Sequence, residues 1–274
     1  MPVRDQITAG SPGKPFVLLS KGRSGTNFLI SKLQLTRQVL FGWEPFNQTF
    51  FGYGGAEHFS IPPKVMARLN DTRFRDADPA GYIDYCAGFT GALDGSGVKA
   101  SAFKIFPVAP HNPEIYWKMT QDTRFRALVL ERRSTLAVYS SLMIALKTNQ
   151  WISRAGGEAG EAGGAAPEQV QIPFRPKEFE AFRKVYRETF VTTEANLAQA
   201  GVEHLKIYYE DLVSDPQVFA SILAFLRLDP VVVASTWVKK QNDSNVLNRF
   251  TNPEVAAPYL EQEQQEEALW KTPA

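Results

Sequence analysis

The feature that most constrains the fold is a short apolar run followed at once by a glycine-containing polar segment. Residues Phe16–Leu19 read Phe-Val-Leu-Leu, so every side chain of the run is hydrophobic. A strand with two apolar faces is typical of a parallel sheet covered by helices on both sides. The polar segment 20–27 then leads into apolar positions from Phe28 to Leu40 that suit a helix. The order strand, turn, helix indicates the first unit of an α/β fold.

Further segments repeat this alternation along the chain. Strands are expected at Val98–Phe106, at Ala127–Leu130 and at Leu205–Tyr209. Helices are expected at Thr135–Asn149, at Lys177–Gln199 and, after the start signal Asp215-Pro216, as far as Leu226. The sequence therefore predicts one domain, residues 1–274, with a P-loop-like three-layer α/β/α fold around a central parallel sheet. The first strand, turn and helix occupy residues 14–41.

Three segments do not fit the alternation. Residues 42–97 are rich in aromatic residues and broken by glycine and proline, with short helices expected at Lys64–Leu69 and Pro79–Leu93; we interpret them as an insertion that forms a substrate wall. Residues 155–167 are poor in large apolar side chains, so we expect a mobile surface loop. The acidic run Glu261–Glu267 is expected to be a solvated helix face or a frayed tail.

Composition excludes several classes of function. The 274 residues include 30 basic and 29 acidic side chains, a net charge of +1, which gives no support to a nucleic-acid partner. Cys86 is the single cysteine, and His58, His111 and His204 are far apart in sequence, so neither a disulfide nor a metal site is expected. No apolar run approaches the roughly 18 residues needed to span a bilayer. We expect a cytoplasmic protein without a transmembrane segment.

Residues 23–27 are the strongest candidate for a binding site. A turn that leads into a helix directs unpaired backbone N–H groups at one point, where the helix dipole adds about half a positive charge. Gly25 allows a close backbone approach and Arg23 supplies a forked cation, while further donors come from Ser24, Thr26 and Asn27. The triphosphate-binding pattern GxxxxGK[ST] is absent. This points to a phosphate or sulfate site; the alternative is a capped helix start with an incidental arginine.

A second motif follows the strand at Ala127–Leu130. Arg132 stands at the end of that strand and Ser140 lies eight residues later on the expected helix. A turn and two helical turns can return a hydroxyl to the carboxyl edge of the sheet, where ligands bind in such folds. The alternative is that Arg132 and Arg133 are surface cations and Ser140 only fills a helix position.

The two motifs together resemble those of the sulfotransferase superfamily. Residues 23–29, Arg-Ser-Gly-Thr-Asn-Phe-Leu, are similar to that family's 5′-phosphosulfate-binding loop, and Arg132 with Ser140 are similar to its 3′-phosphate-binding pair. The resemblance implies that the donor is 3′-phosphoadenosine 5′-phosphosulfate (PAPS), held at its 5′ end by Arg23, Ser24, Gly25, Thr26 and Asn27. It also implies that 3′-phosphoadenosine 5′-phosphate (PAP) is released and that no metal is needed.

Two other segments extend the resemblance. Thr148–Trp151 is similar to the Thr-Gly-Gln-Trp segment of bacterial sulfotransferases that modify trehalose glycolipid, lipopolysaccharide and nodulation oligosaccharides, although Asn149 replaces the glycine. Tyr209–Pro216 resembles the family's Tyr-Glu-Asp-Leu segment. This branch acts on hydroxyl groups of carbohydrates and glycolipids, so the resemblance implies an acceptor of that kind.

The C-terminal part contributes a donor-covering segment by the same resemblance. Lys239 and Lys240, followed by Leu247–Asn252, are similar to the segment that covers the donor in the family. The resemblance runs from about residue 16 to residue 253. Apart from Glu44 and Pro45, the insertion 42–97 matches none of these family motifs.

Catalytic roles follow from the same resemblance. Glu44, in Glu-Pro soon after the first helix, resembles the catalytic base of the glycan-modifying branch; His58 is the alternative, because cytosolic members use a histidine. Lys104 is a charged residue in an apolar strand, so it is expected to face the acceptor or Glu44, or to lie on an edge strand. Tyr53 and Trp151 are candidates for stacking on a sugar or on adenine.

The leading interpretation is a PAPS-dependent O-sulfotransferase that acts on a carbohydrate, glycolipid or other small hydroxyl-bearing acceptor; a homodimer is left open. One alternative is a P-loop nucleotide-dependent kinase, which needs a magnesium-binding aspartate, for which Glu131 is a weak substitute. The other is a non-catalytic binder of nucleotide or sulfated glycan.

Overall fold

A sheet of mainly parallel strands forms the central layer of the fold. The computed structural model describes residues 14–47, 53–54, 56–88, 97–108, 113–151, 170–233 and 245–271, with only the backbone at 53, 54, 56 and 269–271. In these ranges the strands are β1 Phe16–Ser20, β2 Val39–Gly42, β3 Tyr53–Gly54, β4 Ala100–Ile105, β5 Arg126–Glu131 and β6 His204–Tyr208. Their order is β3-β2-β4-β1-β5-β6. All neighbours are parallel except β3, which pairs antiparallel with β2.

Helices connect the strands. The helices within the described ranges are α1 Thr26–Leu35, α2 Pro63–Leu69, α3 Thr72–Ala77, α4 Pro79–Gly88, α5 Pro113–Met119, α6 Thr135–Thr148, α7 Pro176–Gln199, α8 Tyr209–Ser214, α9 Pro216–Leu226 and α10 Pro253–Lys271. Short 3₁₀ helices occupy Ala56–His58 and Val246–Arg249.

The central strand β1 shows why the sheet is covered on both faces. Phe16 and Leu18 pack into one hydrophobic cluster with residues of α1, α8 and α9, whereas Val17 and Leu19 pack into another with residues of α4, α5 and α7. All four side chains are fully buried. Burying a side chain of this size contributes about 1.5–3 kcal/mol. The all-apolar sequence of β1 therefore reflects two helical layers, and the expected three-layer α/β fold is confirmed.

The register of the strands brings several loops to one edge. Leu19 of β1 lies beside Ile105 of β4 and Val129 of β5, and Gly42 of β2 lies beside Phe103. Because these strands are parallel, the loops that follow β1, β2 and β5 begin at the same edge of the sheet. The candidate phosphate-binding residues and the candidate base in those loops therefore follow strands that end at the same edge of the sheet.

The first helix is shorter than its apolar spacing predicts. The spacing continues to Leu40, but α1 ends at Leu35, and Val39 and Leu40 belong to β2. Arg37 adopts a left-handed conformation with φ of 55° and donates its N–H to the carbonyl of Gln34 at 2.9 Å, which terminates the helix. Pairing of β2 with β4 then outweighs the helical spacing of the apolar side chains.

The described residues of the insertion 42–97 contain more secondary structure than the sequence predicts. Within its described residues it contains β3, α2, α3 and α4, of which β3 and α3 were not predicted. The helix predicted from residue 79 is described only as far as Gly88. The expected mobile loop 155–167 lies outside the described residues.

The acidic C-terminal run is not simply solvated. Glu263 of α10 is buried, and its carboxylate accepts hydrogen bonds from the N–H of Leu136 at 2.9 Å and from the hydroxyl groups of Ser134 and Thr135. The interpretation of Glu261–Glu267 as a solvated face or frayed tail is therefore wrong at Glu263, which caps the start of α6. Sequence periodicity cannot reveal a partner more than 120 residues away.

Candidate active site

The loop after β1 leads into α1 through a left-handed glycine. Gly25 has φ of 90° and stands at the N-cap of α1, where its carbonyl accepts the N–H groups of Phe28 at 3.0 Å and Leu29 at 3.3 Å. A Cβ atom on Gly25 would lie 2.1 Å from Cδ2 of Tyr209. Only glycine therefore fits between the tyrosine ring and the helix start, where the first N–H groups of α1 have no partner inside the helix.

Arg23 is held in the loop by two contacts with the α6 region. Its Nε donates to Oγ of Ser141 at 2.8 Å, and its Nη1 donates to the carbonyl of Trp151 at 2.7 Å. Burial, together with the charge of Arg132, lowers the pKa of Arg23 to about 10. The guanidinium is thus partly buried and lies near a second cation.

The other polar residues of the loop differ in what they contact. Ser24 is fully buried, and its hydroxyl forms a hydrogen bond of 3.0 Å with the hydroxyl of Tyr186 on α7. Thr26 is also buried. Oδ1 of Asn27 accepts a hydrogen bond from Nζ of Lys104 at 2.7 Å. Ser24 therefore anchors the loop to α7, whereas Asn27 links it to β4.

Lys104 joins the loop to the candidate base. It lies on β4, and its side chain is 3% exposed. Besides Asn27, its ammonium contacts Oε1 of Glu44 at 2.8 Å, while Oε2 of Glu44 accepts a hydrogen bond from Nδ2 of Asn47 at 2.5 Å. Burial lowers the pKa of Lys104, and the charge of Glu44 opposes this change. The structure thus brings Glu44, Lys104 and Asn27 together at the carboxyl edge of the sheet.

The two arginines after β5 have different surroundings. Arg133 forms a bidentate pair with Asp211, with both nitrogen–oxygen distances at 2.6 Å, so its guanidinium is committed to α8. Arg132 stacks over the ring of Tyr209 at 4.9 Å and has its Nε 3.7 Å from Oε1 of Glu210. In the described part of the chain, that Nε is buried without a hydrogen-bond partner. The Nε of Arg133 is likewise buried without such a partner, so the two arginines differ in the bidentate pair that Arg133 forms with Asp211.

Ser140, the predicted partner of Arg132 at the 3′-phosphate, forms hydrogen bonds within α6 and with a residue near the C-terminus. It is fully buried, and its hydroxyl accepts a hydrogen bond from Nη1 of Arg249 at 3.0 Å. Arg249 is itself buried and also donates to the carbonyl of Ala137 at 3.2 Å. Sequence reasoning missed this arginine, although it lies within the segment 247–252 that resembled a donor-covering region.

The structure gives less information about the remaining candidate residues. His58 lies in an exposed 3₁₀ turn, 3.5 Å from Oε1 of Glu57. The ring of Trp151 is exposed, although its carbonyl contacts Arg23. The backbone of Tyr53 pairs with Gly42 in β3, and Lys239 and Lys240 lie outside the described residues. No group of three or more metal-binding side chains occurs in the described ranges.

Comparison with known proteins finds similarity in structure but not in sequence. No family model matches the sequence, and no curated protein matches it. The crystal structure of a sulfotransferase from Alicyclobacillus acidocaldarius aligns with 95% of this chain and 97% of its own, with 16% sequence identity and a TM-score of 0.44. Identity this low leaves the chemistry to be argued from the site itself. Of the helices in the described ranges, none has the length and apolarity that a bilayer span requires.

Proposed function

We propose that this protein is a sulfotransferase that moves the sulfuryl group of PAPS to an acceptor hydroxyl. The observation that carries the proposal is the convergence of three cations, Arg23, Lys104 and Arg132, beside the N-terminus of α1. Each is wholly or partly buried, and the charge of Arg132 lowers the pKa of Arg23. Glu44 pairs with Lys104, and Glu210 lies 3.7 Å from Arg132, but Arg23 and Arg132 still repel each other. An anionic ligand would relieve this repulsion.

A donor with phosphate groups at both ends suits this arrangement. Arg23 and the N–H groups at the start of α1 would hold the 5′-phosphosulfate. Arg132, whose Nε lacks a hydrogen-bond partner among the described residues and lies 3.7 Å from Glu210, would bind the 3′-phosphate together with the Ser140–Arg249 pair. A nucleoside triphosphate suits it less, because Thr26 stands where a P-loop carries lysine.

The chemistry requires a base, an in-line acceptor and a stabilised leaving group. In the proposed reaction Glu44 takes the proton of the acceptor hydroxyl while the oxygen attacks sulfur. The bond from sulfur to the 5′-phosphate oxygen breaks, and PAP leaves with the negative charge stabilised by Arg23 and the start of α1. Lys104, between Asn27 and Glu44, connects the donor loop to the base.

A carbohydrate or glycolipid is the proposed acceptor class. Two features support it: the Glu44-Pro45 pair and the Thr148–Trp151 segment both resemble the glycan-modifying branch. The exposed ring of Trp151 lies beside the carbonyl that binds Arg23, and aromatic rings of this kind stack on sugar faces. A screen that follows labelled sulfate from PAPS onto glycans, glycolipids and simple alcohols would identify the acceptor.

Calorimetric titration tests the donor. We expect PAP to bind the protein more tightly than ATP with magnesium, because the site offers two separate anion positions and lacks the P-loop lysine. Tight binding of ATP with magnesium and no binding of PAP would refute the donor assignment and favour a kinase. Binding of PAP without transfer to any acceptor would favour a non-catalytic binder.

The substitution Glu44→Gln tests the base. The amide keeps the shape of the side chain but cannot accept a proton, so turnover should fall by about 10²–10⁴-fold. The affinity for PAP, measured by calorimetry, should change little. His58→Gln is the comparison, and we expect it to retain its rate. A Glu44→Gln enzyme with unaltered turnover, or a large loss in His58→Gln, would move the base away from Glu44.

Arg132 and Arg133 form a matched pair for testing the 3′-phosphate site. Arg132→Ala removes a charge-assisted contact and should weaken PAP binding by about 1.5–3 kcal/mol. Arg133→Ala removes the bidentate pair with Asp211 and should lower the free energy of unfolding while PAP binding changes less. Titration calorimetry and urea unfolding distinguish the two effects. Equal losses of affinity in both variants would contradict the assignment of Arg132.

A further inference from the structure

A buried arginine of the insertion contacts the turn that carries the candidate base. Arg75 lies on α3 and is 4% exposed. Its Nη1 donates to the backbone carbonyl of Pro45 at 2.7 Å and to that of Asn47 at 3.2 Å, and its Nε donates to Oδ1 of Asp76 at 2.7 Å. One guanidinium group thus binds two carbonyl groups of the short segment that follows Glu44.

That segment is a tight turn. The N–H of Asn47 donates to the carbonyl of Glu44 at 2.9 Å, which closes a β-turn over residues 44–47 with Pro45 at its second position. The same asparagine donates from its side chain to the carboxylate of Glu44 at 2.5 Å. The direction of the carboxylate therefore depends on where the turn is held, since Glu44 contacts Lys104 on one side and Asn47 on the other.

The chemistry of arginine suits this position. Buried carbonyl groups require donors, and the planar guanidinium presents several N–H groups in a fixed fork. The ammonium of lysine lacks that fork. Arg75 also lies beside a group of packed aromatic rings. The ring of the preceding residue, Phe74, lies 5.9 Å from that of Tyr82, and the ring of Tyr82 lies 5.7 Å from that of Phe46 in the turn. These rings therefore connect α3 and α4 to the turn.

We propose that Arg75 is a positioning residue that holds the turn 44–47 and so fixes the carboxylate of Glu44 for proton transfer. This inference rests on the proposed role of Glu44 as the base. It also gives the insertion 42–97, which was interpreted from the sequence as a substrate wall, a second role, because α3 would orient the base. Catalysis is sensitive to such placement, and a displacement of about 1 Å can cost about 10²-fold in rate.

The test compares Arg75→Met with Arg126→Met. Arg126 is a matched control because it is also buried, at 2% exposed, and pairs with an exposed carboxylate, Glu203, but lies at the amino end of β5, away from the site. Four quantities are measured in each variant: release of PAP from PAPS with acceptor or water, PAP affinity, urea unfolding, and amide exchange of Asn47 by NMR.

We expect Arg75→Met to lose about 10²-fold in the rate of PAP release, with PAP affinity nearly unchanged and faster exchange of the Asn47 amide. Arg126→Met should lower stability without either change at the site. Arg75→Lys should recover part of the rate. If Arg75→Met does not fold, the same four quantities are measured in Arg75→Lys instead.

Unchanged Asn47 exchange in the Arg75 variants would overturn the proposal, as would a loss of rate that is matched by Arg126→Met or by an equal loss of PAP affinity. Failure of the unaltered protein to bind PAP would instead overturn the proposed function. The two failures are distinguishable, because the exchange of the Asn47 amide is measured without any ligand.

Discussion

Gly25 is the residue whose identity the site restricts most. Alanine there would have to keep φ at 90° and would place Cβ 2.1 Å from the ring of Tyr209. Gly201 is the matched control, with φ of 69° and no atom within 4 Å of the position that a Cβ atom would occupy. Gly201→Ala should therefore cost only the left-handed backbone strain, about 1–2 kcal/mol.

Gly25→Ala should cost more than Gly201→Ala and should also weaken PAP binding, because the tyrosine ring or the start of α1 must move. Urea unfolding measures the stability of each variant, and calorimetry measures PAP affinity. Equal destabilisation of the two variants, with PAP affinity retained in both, would contradict the close contact between Gly25 and Tyr209.

Single residues also show what the sequence could and could not reveal. Arg23 and Arg132 were recognisable because each lies within a few residues of the end of an apolar strand, in a segment that resembles a known motif. Arg75 and Arg249 were not, because each donates to backbone carbonyls or a hydroxyl whose position depends on tertiary packing. The sequence alone predicts that an arginine on a short charged helix is a surface cation, because it does not show which backbone carbonyls lie nearby.

At the scale of elements, α6 depends on α10. Glu263 accepts hydrogen bonds from Leu136 N–H and two hydroxyl groups at the start of α6, near the positive end of that helix dipole. Glu263→Ala leaves these buried donors without a partner and should lower the free energy of unfolding by about 1–3 kcal/mol. Glu261→Ala, on the exposed side of α10, should change it by less than about 0.5 kcal/mol.

Urea unfolding of the two α10 variants measures this difference in stability, and PAP titration reports whether the affinity for PAP changes as well. We expect weaker PAP binding in Glu263→Ala, since α6 carries both Ser140 and Ser141, which contact Arg249 and Arg23. Similar stability of the two variants would show that the cap contributes little.

Elements with a strong periodic or all-apolar pattern were predicted well. The strands β1, β4, β5 and β6 and the helices α6, α7 and α9 were confirmed to within a few residues. By contrast, Val39 and Leu40 continued the helical spacing of α1, so β2 was missed. Helix α3 was missed because Phe74 is its one large apolar residue, although Asp71 caps it by accepting the N–H of Phe74 at 3.0 Å.

At the scale of the whole molecule, net charge conceals a local concentration of cations. The chain carries +1 overall, yet Lys104 contacts Asn27 of α1, Arg132 stacks on the Tyr209 ring that packs against Gly25, and Arg23 lies in the same loop. Lys21, also in this loop, is buried, with its ammonium 3.2 Å from Oγ1 of Thr189 and 3.5 Å from the carbonyl of Val185. Composition alone could not show where these charges lie.

The pH dependence of unfolding should report the burial of Lys21. Burial lowers the pKa of Lys21 to about 8, whereas in the unfolded chain it is about 10.4. Between these values the unfolded state binds more protons, so this group makes the free energy of unfolding rise with pH. Below pH 8 the buried charge is a cost, and Lys21→Met should therefore be more stable than the wild type at pH 7.

Urea unfolding at intervals from pH 7 to 9.5 tests this, and we expect a smaller slope in Lys21→Met. Lys206→Met is the opposite control, because Lys206 pairs with Glu131 at 2.9 Å and its removal should destabilise the protein. Parallel slopes in the wild type and Lys21→Met would show that Lys21 keeps its proton in the folded state.

The order in which the site residues occur along the chain has a consequence for synthesis. A nascent polypeptide that has grown only through α9 contains every strand of the described sheet, but it lacks Arg249 and Glu263, which brace α6 from later segments. Domains begin to fold from the N-terminus while translation continues. The sheet can therefore form on the ribosome before the proposed donor site is complete, and we expect a product truncated after α9 to fold in part and to bind PAP less tightly than the whole chain.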